Sequence, residues 1–411
     1  MHVIGIVAEY NPFHTGHAYQ ISESRRMIGD DAGVVVVMSG NWVQQADCAI
    51  ADKWLRAKLA LMGGADLVLE LPTVWATSSA EGFACGAVEL LAASGIVDVI
   101  SFGSESGETE LLGRIALCLD TPDYEHLLSS LVGSGLSFPA CRQKAVAQLL
   151  GTDAAAVLSH PNNNLGIEYI RALNKRSSSI RPITIPRRGS AHNSIAFGET
   201  PSLPYQKPEF VSATQIRRDL MQGDWTRAEL YLLSEARTLF ENSAAGFPSL
   251  SRAERAILAK LRTMTAEEWA LLADSGRNEG LPQRLEWAGR QCVSVEDFYG
   301  LVKTRRFTHA RLRRLVLRAY LGITDQDVQS SPSYIRVLGF NRCGQSLLRE
   351  MKDRAQLPIL TKSAHARQLT ETAGRLFSLE ARYTDLYDLC FEAIPSPGRE
   401  WRTGPVILEE A

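Results

Sequence analysis

A chain of 411 residues exceeds what one hydrophobic core ordinarily supports, so two or three domains are expected. An apolar share of 45%, a charged share of 22% and a net charge of -2 fit a globular protein and exclude a global pull toward nucleic acid, so RNA contact would need a local patch. No stretch approaches the roughly 18 continuous apolar residues of a membrane span, a signal peptide's basic region and cleavage site are lacking, and seven scattered cysteines imply reduced thiols in the cytoplasm rather than a disulfide or zinc framework.

In chain order, Val3 to Val7 is an apolar run that reads as a buried strand, and Asn11-Pro12 stops it. His14-Thr15-Gly16-His17 follows, and Ala18 to Met27 resumes as a helix. A parallel strand entering a helix leaves unpaired N–H groups and a positive dipole end, which suits phosphate. Gly16 admits close backbone approach, and His14 and His17 can donate to phosphoryl oxygens; the other reading of the pair is two loop histidines or a chance metal pair. Gly33 to Met38 is a second buried strand, Asp47 to Met62 a helix carrying Lys53 and Arg56, and Ala65 to Leu71 a third strand. Ser79 to Ala93 is helical and Val97 to Gly103 is a fourth strand. This alternation predicts an α/β fold: a Rossmann-like parallel sheet with helices on both faces. Its strand exits, Asn11 to His17, Ser39 to Gln45 and Gly103 to Glu105, should face a common site.

Glu108 to Leu150 reads as a helical excursion, after which the α/β pattern resumes. Asn162, Asn163 and Asn164 precede the periodic run Leu165 to Leu173; one can cap that helix, which leaves at least one for a ligand. Ile183 to Pro186 is a short strand delivering Arg187 and Arg188, either a solvated edge or an anion clamp. Ser212 and Thr214 can cap the next helix or, with Arg217 one turn along, grip a second phosphate. From Gly223 the strand pattern vanishes. The expected organisation is therefore a nucleotide-binding domain over 1–222, with the excursion at about 108–150, followed by an all-α C-terminal domain over 223–411. Within the latter, Lys303, Arg305, Arg306, Arg311, Arg313, Arg314 and Arg318 lie in a stretch without acid, and Arg311, Arg314 and Arg318 share one helical face. Such a run is a solvated face or a phosphate-backbone contact; its single sign in a slightly acidic protein favours RNA.

The His14-x-Gly16-His17 turn resembles the HxGH nucleotidyltransferases. The longer stretches Gly5 to His17, Met38 to Gln44, Asp52-Lys53-Trp54, Asp66 to Pro72, Pro161 to Tyr169, Ile335 to Phe340 and Leu357 to Lys362 resemble the bacterial tRNA(Met) cytidine acetate ligases across nearly the whole chain. The resemblance implies two steps without acetyl-CoA. ATP and acetate form acetyl-adenylate and pyrophosphate, and the acetyl group passes to N4 of the wobble cytidine of elongator tRNA(Met). It assigns ATP binding to Val7, Ala8, Glu9, Tyr10, Asn11, Pro12, Phe13, His14, Thr15, Gly16, His17, Ala18, Tyr19 and Gln20, with Gly103, Asn163, Arg188 and its neighbour Arg187, and adds Ser212 and Thr214 as the second phosphate grip. Catalysis falls to His14 and His17, and magnesium accompanies the triphosphate. The chain departs from the family's usual Arg-Gly-Glu-Pro, having Gln45-Ala46-Asp47-Cys48 in its place; Arg56 or Lys53 are the candidates to replace the lost cation. The alternatives are a catalytically degenerate RNA-binding protein, for which Gln45 and Ala46 speak, and an adenylyltransferase with a small acceptor.

Overall fold

The computed structural model describes residues 1–132, 136–187, 211–243, 245–277, 279–304 and 306–409. In chain order the strands are β1 (Val3–Ala8), β2 (Gly33–Ser39), β3 (Trp42–Val43), β4 (Asp47–Cys48), β5 (Leu67–Leu71), β6 (Val99–Ser104), β7 (Arg181–Pro186), β8 (Ile335–Phe340), β9 (Ile359–Leu360) and β10 (Val406–Ile407). The main sheet runs β10-β8-β5-β2-β1-β6-β7, with β9 paired to β8. From β5 to β7 all neighbours are parallel. Successive residues of each strand point to opposite faces, so both faces need cover. Ile4, Ile6, Val34, Val36, Met38 and Val68 enter one core with Ala57, Leu61, Ile216 and Leu220 of the helices Lys53–Met62 and Ala213–Met221. Val3, Val35, Val37, Leu67, Leu69 and Ile100 enter the other, against Leu90, Leu91, Ile167 and Ile170 of the helices Ala80–Ala93 and Pro161–Lys175. After β1 the chain builds β2 and β5 on one side, then crosses to β6 and β7 on the other. The strand order thus reverses between β1 and β6, where the carboxyl ends of open α/β sheets leave a crevice.

The region from 223 onward is mostly helical, as its pattern implies, and it also returns to the sheet. β8 pairs antiparallel with β5, and β10 runs parallel to β8. The run Tyr334 to Phe340 is as apolar as the N-terminal strands, but a lone strand far along a helical stretch has no local partner to announce it. Several long periodic stretches are interrupted where a hydroxyl side chain offers a new cap. Thr308 caps His309–Leu321 after the break that follows Val295–Val302, and Thr265 with Glu268 forms a capping box at Ala266–Ala270. Likewise Asp47 does not open a helix: Trp42–Val43 and Asp47–Cys48 form a hairpin, and Asp52 caps Lys53–Met62. The three asparagines fall inside the first turn of Pro161–Lys175, whose cap position is His160.

Buried polar contacts tie the C-terminal region to the strand exits. Lys53 lies 2.6 Å from both Glu70 on β5 and Glu400, all three almost fully buried. Arg336 on β8 faces Glu400 at 3.6 Å. From the helix Glu371–Asp388, Glu380 accepts from the Thr73 N–H and hydroxyl, each at 2.7 Å. Tyr383 O accepts from the Trp42 indole at 2.9 Å, and the Tyr387 hydroxyl donates to Ala49 O at 3.0 Å. The hairpin after β2 is therefore held in place by a helix more than 300 residues away in sequence.

Candidate active site

The turn from β1 into the helix Thr15–Ile28 is built by its own histidines. His14 is the N-cap: its Nδ1 accepts from Gly16 N at 3.0 Å, and His17 Nδ1 accepts from His14 N at 3.2 Å. The two rings stack with centroids 3.7 Å apart. An imidazole nitrogen that accepts a backbone N–H carries no proton, so both rings present N–H at Nε2. Burial, with His14 and Arg187 nearby, holds His17 well below the usual imidazole range. It is therefore a neutral donor at physiological pH. Phe13 lies buried beneath, against Tyr10, and Gly63 is required there because any Cβ would meet the Phe13 ring. The helix dipole adds a positive end at the same turn.

These donors line a cavity of about 460 Å³ at the β1/β6 switch point. Val7, Ala8, Glu9, Tyr10, Asn11, His14, His17, Gln20, Gly103, Arg187 and Thr214, all expected from sequence, line it. Gly16 and Tyr19 line a smaller recess that shares His14, His17, Gly103 and Arg187. Arg217 donates through Nη1 to Asn11 O at 2.7 Å and through Nη2 to Thr214 Oγ1 at 3.2 Å, which aims a guanidinium into the cavity beside the turn. Burial lowers the pKa of Arg187 and Arg217 from the usual guanidinium value, yet arginine stays charged. Glu9 enters from the β1 exit; its Oε1 accepts from Gln44 N at 2.7 Å, and burial pushes its carboxyl up despite Gln44, Arg217 and Arg56. Phe83, Phe102, Leu165 and Tyr169 supply apolar lining, with the Phe102 and Tyr169 rings 5.7 Å apart.

Other expected residues do different work. Asn163 is buried: its Oδ1 accepts from the N–H groups of Glu105 and Ser106 at 2.9 and 3.1 Å, and its Nδ2 donates to Val157 O. It shapes the β6 exit, while its neighbour Asn162 lines the cavity. Ser212 accepts from Gln215 N at 3.3 Å and so acts as a helix cap. Pro12 and Phe13 are buried, and Thr15 and Ala18 open the helix. Arg188 and Arg305 lie outside the described residues.

The structure gives partners to both sets of cations singled out in the sequence. Neither Lys53 nor Arg56 replaces the missing arginine. Lys53 is bound between carboxylates, and the fully buried Arg56 donates to the carbonyls of Ala51, Glu9, Ser39 and Gly40, tying strand exits together. The expected RNA face is not free either. Arg318 is 1% exposed and donates to Ala273 O at 2.9 Å, with Asp274 at 3.2 Å. Arg314 lies 3.5 Å from Asp274, and Arg311 donates to Asp274 O at 2.9 Å and pairs with Glu279 at 3.2 Å. The acids come from the 274–279 segment, outside the acid-free window, so local charge counting misses them. Arg313 points the other way and reaches Asp47 at 3.5 Å. That places a cation of the C-terminal region beside the hairpin whose Gln44 and Gln45 line the cavity. Of the lining residues not assigned from sequence, Gln44 and Gln45 sit at an expected strand exit, Leu165 and Tyr169 lie in the family-like stretch Pro161 to Tyr169, and Phe83 carries no local signal.

The HIGH nucleotidyl transferase family profile matches residues 1–399. The tRNA(Met) cytidine acetate ligase of Caldanaerobacter subterraneus subsp. tengcongensis is 38% identical over 400 residues, covering 95% of this chain and 96% of that protein. The protein of the same name from Acetivibrio thermocellus is 35% identical over 427 residues, covering 99% and 100%. The crystal structure of Thermotoga maritima TmcAL bound with alpha-thio ATP superposes over the full length of both chains with a TM-score of 0.89 and 32% identity; the apo form gives 0.91. The chain belongs to the HIGH nucleotidyl transferase family and, within it, to the tRNA(Met) cytidine acetate ligases.

Proposed function

We propose that this protein joins acetate to N4 of the wobble cytidine of elongator tRNA(Met) at the expense of ATP, through acetyl-adenylate. The observation that carries the reading is the pair of Nε2–H donors of His14 and His17, fixed by reciprocal capping, over a cavity flanked by Arg187 and Arg217. In the first step an acetate oxygen attacks the α-phosphorus, the new C–O–P link forms, and the bond to the β-phosphate oxygen breaks with its electron pair leaving on pyrophosphate. Charge grows on non-bridging and leaving oxygens, where preorganised neutral and cationic donors act most strongly. In the second step N4 displaces AMP from the acetyl carbon. Neither step needs a covalent enzyme intermediate.

Among the described residues no group of three or more His, Cys, Asp and Glu is placed to hold a metal ion. Magnesium, as we read it, arrives on the triphosphate and is held through phosphate oxygens and water. Residues 1–222 supply the activation chemistry and 223–411 the tRNA-facing part, in which Arg313 lies beside the hairpin whose Gln44 and Gln45 line the cavity. No helix among the described residues is long and apolar enough to cross a membrane, and a tRNA substrate together with free cysteines supports a cytoplasmic reading.

The test is isotope exchange between pyrophosphate and ATP with and without acetate, in wild type and in His17→Ala. Exchange should require acetate and fall roughly 100- to 1,000-fold in the variant, the usual loss for a preorganised donor. Exchange indifferent to acetate would defeat the reading.

A further inference from the structure

Glu9 is the sole carboxylate among the described residues that line the cavity. A site for a triphosphate and an acetate gathers cations and N–H donors, and the others here fit: His14, His17, Arg187 and Arg217. A carboxylate among them repels the triphosphate and the acetate, so its use lies with something that donates. Among the described residues the hydrogen bond its carboxylate takes is from Gln44 N at Oε1, which orients the group. Its charged neighbours are Arg217 from the helix Ala213–Met221 and Arg56 from the helix Lys53–Met62, and Tyr169 from the helix Pro161–Lys175 also feels its charge. Phe83, Phe102 and Tyr169 offer aromatic surface in the same cavity.

The second step brings such a donor. The exocyclic N4 of cytosine is an amine whose lone pair is drawn into the ring. It becomes a competent nucleophile only as it loses a proton. Carboxylates are also the side chains that recognise this N4–H₂ group, and aromatic faces hold unstacked bases. We infer that Glu9 receives the cytosine: its carboxylate accepts a hydrogen bond from N4–H and takes that proton as N4 attacks the acetyl carbonyl carbon. The N–C bond forms, the bond from the acetyl carbon to the adenylate oxygen breaks, AMP leaves with the electron pair, and the proton resides on Glu9 until solvent removes it. Gln44, by holding Oε1, is a positioning residue for this group. Burial pushes the Glu9 carboxyl up, toward the range in which a general base is most effective.

This assignment rests on the acetyl-adenylate reading above, so the experiment follows two acceptors in parallel. Hydroxylamine intercepts an acyl-adenylate without needing an enzymic base, whereas tRNA(Met) needs one. Glu9→Gln keeps the Oε1 acceptor for Gln44 N and removes the base. Acetylation of tRNA(Met) should fall roughly 100-fold or more, the acetate-dependent hydroxamate yield much less, and the rise of transfer rate with pH expected of wild type should disappear. Glu9→Asp should recover part of the transfer and its pH dependence. A parallel fall of hydroxamate and tRNA acetylation would overturn the proposal and place Glu9 in the first step, as would a loss in Glu9→Gln that manganese restores. No acetate-dependent hydroxamate from wild type would overturn the activation reading itself and this assignment with it.

Discussion

Two charged clusters lie on opposite sides of the β2 exit, and they solve opposite problems. In the cavity, the rings of His14 and His17, the Glu9 carboxylate and the Arg217 guanidinium are positioned by backbone atoms and, with Arg187, line an open volume. In the weld, Lys53, Glu70, Arg336, Glu380 and Glu400 face one another with no such space. Burial and the neighbouring Glu70 push the Glu380 carboxyl up to about 8, so it keeps its proton at neutral pH. That leaves Glu70 and Glu400 against Lys53 and Arg336, a neutral set. Removing one charge therefore acts differently in the two places: in the cavity it removes chemistry, in the weld it leaves a partner charge buried and alone.

The largest expected effect breaks the weld. Lys53→Met deletes the ammonium between two carboxylates and should cost about 3–5 kcal/mol of stability. Thermal or denaturant unfolding reads this directly. The double variant Lys53→Met with Glu400→Gln should recover part of the loss, because the buried carboxylate left behind dominates the penalty. An unchanged unfolding transition in Lys53→Met would show that water or rearrangement reaches the cluster and would dissolve the contrast with the cavity.

The cavity was far more legible in the sequence than the weld. His14-x-Gly16-His17 sits at a strand exit, so chain order alone supplies both the motif and its place, and the parallel-sheet reading put the β2 and β6 exits beside it. Each weld residue looks like an ordinary charged position, because its meaning depends on contacts hundreds of residues apart. Lys53 and Arg56 accordingly read as spare cations near the site, when one is buried in carboxylates and the other in carbonyls. The same limit hides the partners of the expected RNA face. Helical periodicity put Arg311, Arg314 and Arg318 on one side, but could not say that Asp274 and Glu279 face that side.

The contrast sharpens on that helix, where Arg318 is buried among its partners and Arg313 is partly exposed. Arg318→Ala should lower stability by about 1–3 kcal/mol, mainly by leaving the carbonyl of Ala273 without its donor while Asp274 keeps Arg314, with tRNA affinity of the folded protein little changed. Arg313→Ala should leave stability nearly constant, since its pair with Asp47 is partly exposed and weak. It should instead weaken tRNA(Met) binding modestly and reduce the salt dependence of that binding by about one unit of slope, the signature of one lost phosphate contact. Equal salt slopes for wild type and Arg313→Ala would remove that residue from the RNA surface.

The smallest effect concerns the hairpin that joins the two clusters. Ala46 has φ +58°, a left-handed conformation in which a Cβ is strained, and it is buried at the tip between β3 and β4. The glycine that the family resemblance leads one to expect at this place answers to backbone geometry rather than to chemistry, so Ala46 is no sign of a decayed site. Ala46→Gly relieves strain of about 1–2 kcal/mol and gives back part of it through the freer unfolded chain. A net stabilisation of about 1 kcal/mol is expected, visible as a small rise in Tm, with acetate-dependent exchange unaltered. A fall in stability would mean that the Cβ packs usefully against the helix Glu371–Asp388 and that the hairpin is held by side-chain fit more than by its turn.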